Sequence, residues 1–143
     1  MKQQVILDTG PIVAFINGRD KYHKWTIRQW SQISPPMLTC EAVLSEACFL
    51  LRGIDGGQAS VLELFNRGVL KIAFGVSDAV IQIVSLMQKY KNIPMSLADA
   101  CLVRMAELHT NSPVLTFDDD FKIYRKNRRQ VIPILSPFVY SGR

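Results

Sequence analysis

Carboxylates that end a strand or lie on the apolar side of a helix can hold a cation or act on a ligand, and this sequence has four of them. Asp8 follows the apolar run of residues 5–7, and Asp118 follows residues 114–117. Apolar runs without polar alternation are typical of strands covered on both faces of a parallel sheet, which binds ligands at the carboxyl ends of its strands. Asp8 has a second interpretation as the cap of the next helix, because Asp is a preferred N-cap.

The other two acids, Glu46 and Asp99, fall within helical patterns. Val43 stands three positions before Glu46 and Leu50 four positions after it, and Leu102 stands three positions after Asp99. This spacing places each acid on the same helix face as apolar residues, where an ionised carboxylate needs a partner because unpaired burial is costly. Each also has a structural interpretation: Glu46 as a helix-edge residue that reaches solvent, and Asp99 as the acid of a capping box.

A divalent cation would reconcile the four carboxylates with one another. Acids that converge without matching basic residues repel each other, and a cation bound between them removes that repulsion. Glu41 is a weaker candidate because it opens its helix, where an acid suits the helix dipole. Asp119 and Asp120 extend an acidic turn, for which exposure to solvent is the usual explanation.

The elements that must position these acids are predicted from apolar periodicity and from Gly, Pro and capping residues. The predicted strands cover residues 5–7, 37–40, 69–74, 114–117 and 131–135, and the predicted helices cover residues 12–16, 21–33, 41–52, 59–66, 79–90 and 97–109. Their alternation predicts a three-layer α/β/α sandwich with a central parallel sheet of about five strands. Ser77 and Ser96 are the predicted N-caps of the last two helices. Pro133, inside the last strand, indicates a sheet edge.

The totals are those of a single globular domain, residues 1–143, with enough chain for a real core. The net charge of +5 favours a polyanionic partner, although solubility alone would also explain it. The three cysteines form no CxxC pair and are expected as free thiols in a reducing compartment. No stretch reaches the ~18 apolar residues that span a bilayer, and no cleavage site follows the first apolar stretch. We therefore expect a cytoplasmic protein with no membrane partner.

The order of the acids and their local contexts resembles the PIN domain family, and most of all its small stand-alone members, the VapC-type toxins of bacteria and archaea. The motifs that carry the resemblance are residues 7–9, 43–47, 98–100, 116–121 and the closing strand 131–135. Each motif is short, but together they run from residue 5 to residue 135 in a consistent order of strands and helices. The resemblance implies a PIN-like α/β/α fold.

The resemblance also implies a function and a set of site residues. The implied catalytic and metal-binding residues are Asp8, Glu46, Asp99 and Asp118, with Asp120 as a further metal ligand and with Thr9 and Thr116 as hydrogen-bonding neighbours. The implied cofactor is Mg²⁺ or Mn²⁺, since hard cations prefer oxygen ligands and make water a usable nucleophile near neutral pH. The implied activity is endonucleolytic hydrolysis of single-stranded RNA by the toxin of a type II toxin–antitoxin pair. A cognate antitoxin and a homodimer are the implied protein partners.

Two groups of basic residues are candidates for contact with RNA. The first supplies five of the 17 basic residues within eight positions, and its predicted RNA-binding members are Arg125, Lys126, Arg128 and Arg129, with Lys122 beside them. Because this group follows directly on Asp118, we expect it near the site. The second consists of Lys21, Lys24 and Arg28. The alternative for both is a solvated basic face. His23 lies where family members often carry a histidine, but no chemical role is assigned to it.

Two other functions compete with a metal-dependent ribonuclease. One is a catalytically silent module that keeps the PIN fold and acts through a protein partner, which the complete set of acids argues against. The other is a phosphotransfer enzyme with Asp8 as nucleophile. Enzymes of the haloacid dehalogenase type need a second Asp two residues further on, where this chain has Gly10.

Overall fold

A computed structural model describes residues 3–138, and a parallel β-sheet lies at the centre of the fold. The strands are β1 (Ile6–Leu7), β2 (Met37–Thr39), β3 (Leu70–Ile72), β4 (Val114–Leu115), β5 (Arg125–Lys126), β6 (Gln130–Val131) and β7 (Ile134–Leu135). Five of them form one sheet in the order β3-β2-β1-β4-β7, and every pairing in it is parallel. The predicted parallel sheet of about five strands is confirmed.

The helices cover both faces of this sheet. They are α1 (Thr9–Ile16), α2 (His23–Trp30), α3 (Glu41–Leu50), α4 (Gly57–Asn66), α5 (Val80–Lys89) and α6 (Leu97–Leu108). The chain crosses from β1 towards β3 in one direction and returns from β3 to β4 in the other. Since such crossovers are right-handed, α1–α4 and α5–α6 fall on opposite faces, as the α/β/α prediction requires. None of the helices in residues 3–138 is long and apolar enough to span a bilayer.

The strand at the centre of the sheet is fully buried. Val5, Ile6 and Leu7 are 0% exposed, as the apolar run before Asp8 indicates. Phe121 and Tyr124 are the largest fully buried side chains, and they come from the segment between β4 and β5. The core therefore extends beneath the acidic turn, and the sequence interpretation did not place these two rings in it.

Two predicted boundaries are wrong. Ser77 does not cap α5, because Val76–Asp78 forms a short 3₁₀ turn and Ala79 precedes the helix. The strand predicted over residues 131–135 is divided, with Val131 in a separate antiparallel pair and β7 beginning after Pro133. The edge position is confirmed, since β7 pairs with β4 and ends the strand order.

The basic segment after the acidic turn forms a hairpin that the sequence interpretation missed. β5 pairs with β6 in antiparallel register, and Asn127 and Arg128 have φ angles of 49° and 76° in the connecting turn. Asn tolerates this left-handed conformation, so Asn127 is the one local signal for such a turn. The hairpin displays the Arg128 and Arg129 side chains to solvent.

Candidate active site

A cavity of about 450 Å³ opens at the carboxyl ends of β1 and β4. It is lined by Asp8, Thr9, Gly10, Glu46, Leu50, Ser96, Asp99, Phe117 and Asp118. The connection after β1 leads to one side of the sheet, whereas β4 lies on the other side, so a crevice forms between the two strand ends. The fold thus brings the four predicted acids to one cavity, although 110 positions separate the first from the last.

Asp8 combines the two roles that its position in the sequence allowed. Its Oδ1 accepts a hydrogen bond from the backbone N–H of Thr9 at 2.7 Å, which makes it the cap of α1. Its Oδ2 accepts from the hydroxyl of Thr116 at 2.7 Å. The side chain is 7% exposed and still lines the cavity. Each carboxylate oxygen keeps a further lone pair for another partner.

Thr116 joins the two strand-end acids. Its hydroxyl donates to Asp8 and accepts from the backbone N–H of Asp118 at 2.9 Å. Thr116 is 0% exposed, so both bonds are shielded from water. The one hydroxyl therefore fixes the Asp8 carboxylate and the start of the acidic turn relative to each other.

We expect Thr116→Val to lower RNA cleavage by roughly 10- to 100-fold, as the loss of outer hydrogen-bond partners typically does in metal sites. The methyl group fills the same space but leaves Asp8 Oδ2 and the Asp118 N–H without their partner. Thr116→Ser is the matched control, because it keeps the hydroxyl and should retain most of the activity. Cleavage rates of the two variants, with melting curves to verify folding, provide the measurement. Equal rates in both variants would contradict this positioning role.

Asp99 is the acid of the predicted capping box and also lines the cavity. Its Oδ2 accepts from the backbone N–H of Ser96 at 3.0 Å, and the Ser96 hydroxyl accepts from the Asp99 N–H at 3.0 Å, which is a capping box. The hydroxyl of Tyr124 donates to the same Oδ2 at 3.5 Å. The box places the carboxylate at the first turn of α6 and against the cavity.

Glu46 lines the cavity from an exposed position rather than from the apolar side of its helix. The argument for burial depended on Val43 and Leu50 as core residues. Val43 is fully buried, but Leu50 is 53% exposed. The spacing therefore predicted correctly that Val43 faces the core. It did not predict that the core ends before Leu50, so that Glu46 lies outside it. Glu46 reaches the cavity from its rim.

Asp118 and Asp120 belong to the turn that follows β4. Asp118 is half-buried and lines the cavity, and its Oδ1 accepts from the backbone N–H of Asp120 at 2.9 Å. Asp120 does not line the cavity. Asp120 therefore lies outside the group of four acids that line the cavity. The role of Asp120 as a metal ligand stays a prediction.

Two of the acids, Asp8 and Asp99, have raised pKa values. Burial, together with the nearby charges of Asp99 and Asp118, raises the pKa of Asp8 to about 6. Burial and the charges of Asp118 and Glu46 raise the pKa of Asp99 as well. The ionised states of Asp8 and Asp99 are therefore disfavoured unless positive charge is supplied.

The donor set of the cavity fits a hard divalent cation. Its polar groups are oxygens, and none of the lining residues within 3–138 is basic. The hydroxyl oxygen of Thr9 is buried there without a hydrogen-bond partner. In the same range, no three acidic, histidine or cysteine side chains form a preassembled cluster for one ion. Mg²⁺ is commonly held by one or two carboxylates together with several waters, which such an arrangement allows.

The basic hairpin lies farther from the acids than its place in the sequence indicated. Lys126 is 7% exposed, and its ammonium donates to the carbonyl of Thr110 at 3.2 Å. Thr110 follows the end of α6, about 15 Å along the helix axis from Asp99 at 1.5 Å per residue. The ammonium is bonded within the fold, and the contact of Lys126 with RNA stays a prediction.

The other basic residues differ in their exposure to solvent and in their hydrogen bonds to the rest of the protein. The Arg125 guanidinium donates to the carbonyl of Lys122 at 2.7 Å and folds back over its own turn. Arg128 and Arg129 are exposed at the tip of the hairpin. His23 donates from Nδ1 to the carbonyl of Ala14 at 2.7 Å, which gives it a structural role between α2 and α1.

Comparisons with known proteins agree with this architecture. The sequence model of the PIN domain family matches residues 5–127. The crystal structure of VapC20 from Mycobacterium tuberculosis, a Sarcin-Ricin loop cleaving toxin, superposes with a TM-score of 0.75 at 20% identity, over 84% of this chain and 94% of that chain. At this identity the likeness concerns the fold. A search of curated proteins found no significant match.

Proposed function

The chain belongs to the PIN domain family, and from this premise we propose that it is a VapC-type, metal-dependent endoribonuclease that hydrolyses phosphodiester bonds of single-stranded RNA. The observation that carries the proposal is the gathering of Asp8, Glu46, Asp99 and Asp118 around one cavity. The lining has no basic partner for these carboxylates, and burial together with neighbouring charge raises the pKa of Asp8 and of Asp99. This arrangement provides what a cation-dependent hydrolase needs.

We assign Mg²⁺ or Mn²⁺ to this cavity, held by Asp8 with help from Asp99, Asp118 and Glu46. When bound, such a cation supplies Lewis-acid activation of water and stabilises the charge that develops on the phosphoryl group. The Thr116 hydroxyl keeps the Asp8 carboxylate in place, and the Ser96 capping box does the same for Asp99. The Thr9 hydroxyl oxygen is buried beside Asp8 without a hydrogen-bond partner, and we propose that it is a hydrogen-bonding neighbour of the bound cation's ligands.

The biological setting follows from the same family. We propose that residues 1–143 act as one domain, that the protein is the toxin of a type II pair with a cognate antitoxin, and that it forms a homodimer. A catalytically silent module with the same fold is the alternative. It would have no need for the hydrogen-bond network around Asp8, and for that reason we prefer the enzyme.

The test is the cleavage of RNA by the purified protein. A fluorescently labelled single-stranded RNA and the same RNA in a duplex are incubated with chelator, with Mg²⁺ or with Mn²⁺. We expect hydrolysis of the single strand that depends on the cation, and little hydrolysis of the duplex. Absence of cleavage with either cation, or equal cleavage in chelator, would favour the silent module.

The exposed tip of the hairpin should affect RNA binding rather than chemistry. Replacing Arg128 and Arg129 with Ala should weaken RNA affinity and flatten its dependence on salt. With fewer phosphate contacts, fewer counterions are released from the RNA when it binds. For two contacts on a single strand, the slope of log K against log salt should change by about 1.4. Lys91→Ala, another exposed basic residue, is the matched control. An unchanged slope would mean that the hairpin tip is only a solvated basic surface.

A further inference from the structure

Two further aromatic side chains pack against Phe117, which lines the cavity. The Phe117 ring lines the cavity beside Asp118, and its centroid lies 4.9 Å from that of Tyr22 and 5.8 Å from that of Trp25. Tyr22 and Trp25 come from the start of α2, far away in sequence. We call Phe117, Tyr22 and Trp25 the aromatic surface.

These three rings are only partly covered, although Tyr22 also packs edge-on against Phe138 with 5.3 Å between the ring centroids, and Trp25 packs against the core. Phe117, Tyr22 and Trp25 are all half-buried, whereas the nearby Phe121 and Tyr124 are fully buried. Each residue of the aromatic surface therefore keeps part of its area open to solvent, and Phe117 lies beside the carboxylates. A surface of this kind, continuous with a polar cavity, is a place for a ligand that has a flat apolar face.

The position of the Phe117 ring is fixed by the backbone of α1. A Cβ atom at Gly10 would lie 2.9 Å from Cδ2 of Phe117, closer than real Cβ contacts. The absence of a side chain at Gly10 is thus what allows the ring to lie against the helix and at the wall of the cavity. The ring sits on the helix that Asp8 caps, so its distance from the acids is rigidly set.

The charges beside the aromatic surface suit a nucleic-acid strand. Lys21 and Lys24 are exposed next to it, and the Lys21 ammonium lies 5.0 Å from the centroid of the Tyr22 ring. Proteins that bind single strands without sequence preference combine a basic path for the phosphates with aromatic rings on which unpaired bases stack. Lys21 and Lys24 supply the first of these features, and the aromatic surface supplies the second.

We propose that the aromatic surface is a base-stacking subsite, which holds unpaired nucleotides next to the phosphodiester bond that the carboxylates address. This inference rests on the proposed function, and it explains how the protein would select single-stranded RNA over a duplex. Bases in a duplex are stacked on each other and cannot lie on protein rings, whereas bases of a single strand can. The subsite therefore selects unpaired RNA, with little preference for base identity, because every base has a π-face.

The experiment measures binding in chelator, so that cleavage is not needed for the result. The probes are a labelled single-stranded oligoribonucleotide and an abasic strand with the same number of phosphates. We expect the wild type to bind the base-containing strand more tightly than the abasic strand. Phe117→Leu should weaken binding of the base-containing strand by roughly 5- to 100-fold, the usual range for one lost stacking contact, and leave binding of the abasic strand unchanged.

Two further variants keep the outcome interpretable. Tyr22→Leu should have the same selective effect. It replaces Phe117→Leu as the test variant if melting curves show that Phe117→Leu does not fold. Phe49→Leu is the matched control, because Phe49 is an exposed ring on α3 that does not line the cavity.

The possible results distinguish failure of the subsite proposal from failure of the nuclease proposal. If the variants lose affinity for both strands equally, or for neither, the stacking subsite is overturned. The same holds if the wild type binds the two strands equally. A selective loss of base-containing RNA in a protein that shows no cleavage would support the subsite while removing the nuclease proposal.

Discussion

Asp8→Asn will abolish cation-dependent RNA cleavage, with a fall in rate of about 100-fold or more and no loss of the fold. The amide keeps the shape of the side chain and one acceptor oxygen for the Thr9 N–H, but it lacks the charge that attracts a divalent cation. Removal of a partner that only orients a metal ligand commonly costs 10- to 100-fold, so loss of a direct ligand should cost at least as much. Asp99→Asn should have a similar effect.

The measurement compares initial rates on labelled single-stranded RNA at saturating Mg²⁺ or Mn²⁺. Asp119→Asn is the matched control, since this acid follows Asp118 directly but is exposed, pairs with Lys122 at 3.2 Å and does not line the cavity. Its rate should stay near that of the wild type. Wild-type rates in Asp8→Asn, with cleavage shown to require the cation, would exclude Asp8 from the site.

Mn²⁺ will raise the melting temperature of the wild type by several degrees and that of Asp8→Asn by much less. A ligand that binds only the folded state stabilises it by about 2.7 kcal/mol at a hundredfold excess over its Kd. For a domain near this size, 1 kcal/mol corresponds to roughly 2–8 °C. Burial, with the charges of neighbouring acids, raises the pKa of Asp8 and Asp99, and a bound cation offsets both effects.

The pH dependence of this effect has a definite sign. The folded-state pKa of Asp8 is about 6, above its ordinary value of 3.8, so the folded protein holds a proton that the unfolded chain releases. In the absence of metal, the contribution of Asp8 to stability is therefore greatest below pH 4 and is lost as the pH rises through 6. The full loss corresponds to roughly 3 kcal/mol at 1.36 kcal/mol per pKa unit.

Melting curves at pH 5 and pH 7.5, with chelator or with Mn²⁺, test both parts. Metal-free Asp8→Asn should melt higher than metal-free wild type at pH 7.5, because the buried charge is gone. The Mn²⁺ shift of the wild type should be larger at pH 7.5 than at pH 5, where protons compete for the carboxylate. If Mn²⁺ moves both proteins equally, or neither, the acids do not form a cation site.

Several features of this protein were determined by local sequence. The apolar run before Asp8 predicted a buried strand, and Val5, Ile6 and Leu7 are indeed fully buried. Ser96 and the acid three residues later predicted a capping box, and both of its hydrogen bonds are present. An uninterrupted apolar run and a capping pair are patterns of residues close together in the chain, which explains why they could be predicted from the sequence.

Other features depended on tertiary structure. The Thr116 hydroxyl reaches Asp8 across 108 positions, because the sheet order places β4 beside β1. Periodicity identified the helix of Glu46 but could not show that the core ends before Leu50, which is 53% exposed. The basic cluster contained no sign that Lys126 would be buried against the end of α6.

The aromatic surface is the clearest case of the second kind. Tyr22, Trp25 and Phe117 lie in ordinary apolar patterns, and nothing near them in the chain indicates that they meet, or that Phe117 lies beside four carboxylates. A local pattern specifies which element forms and which of its faces is apolar. The depth of burial, and the partner across a strand end or helix face, are decided by long-range packing, since only the folded chain sets which residues compete for the same space.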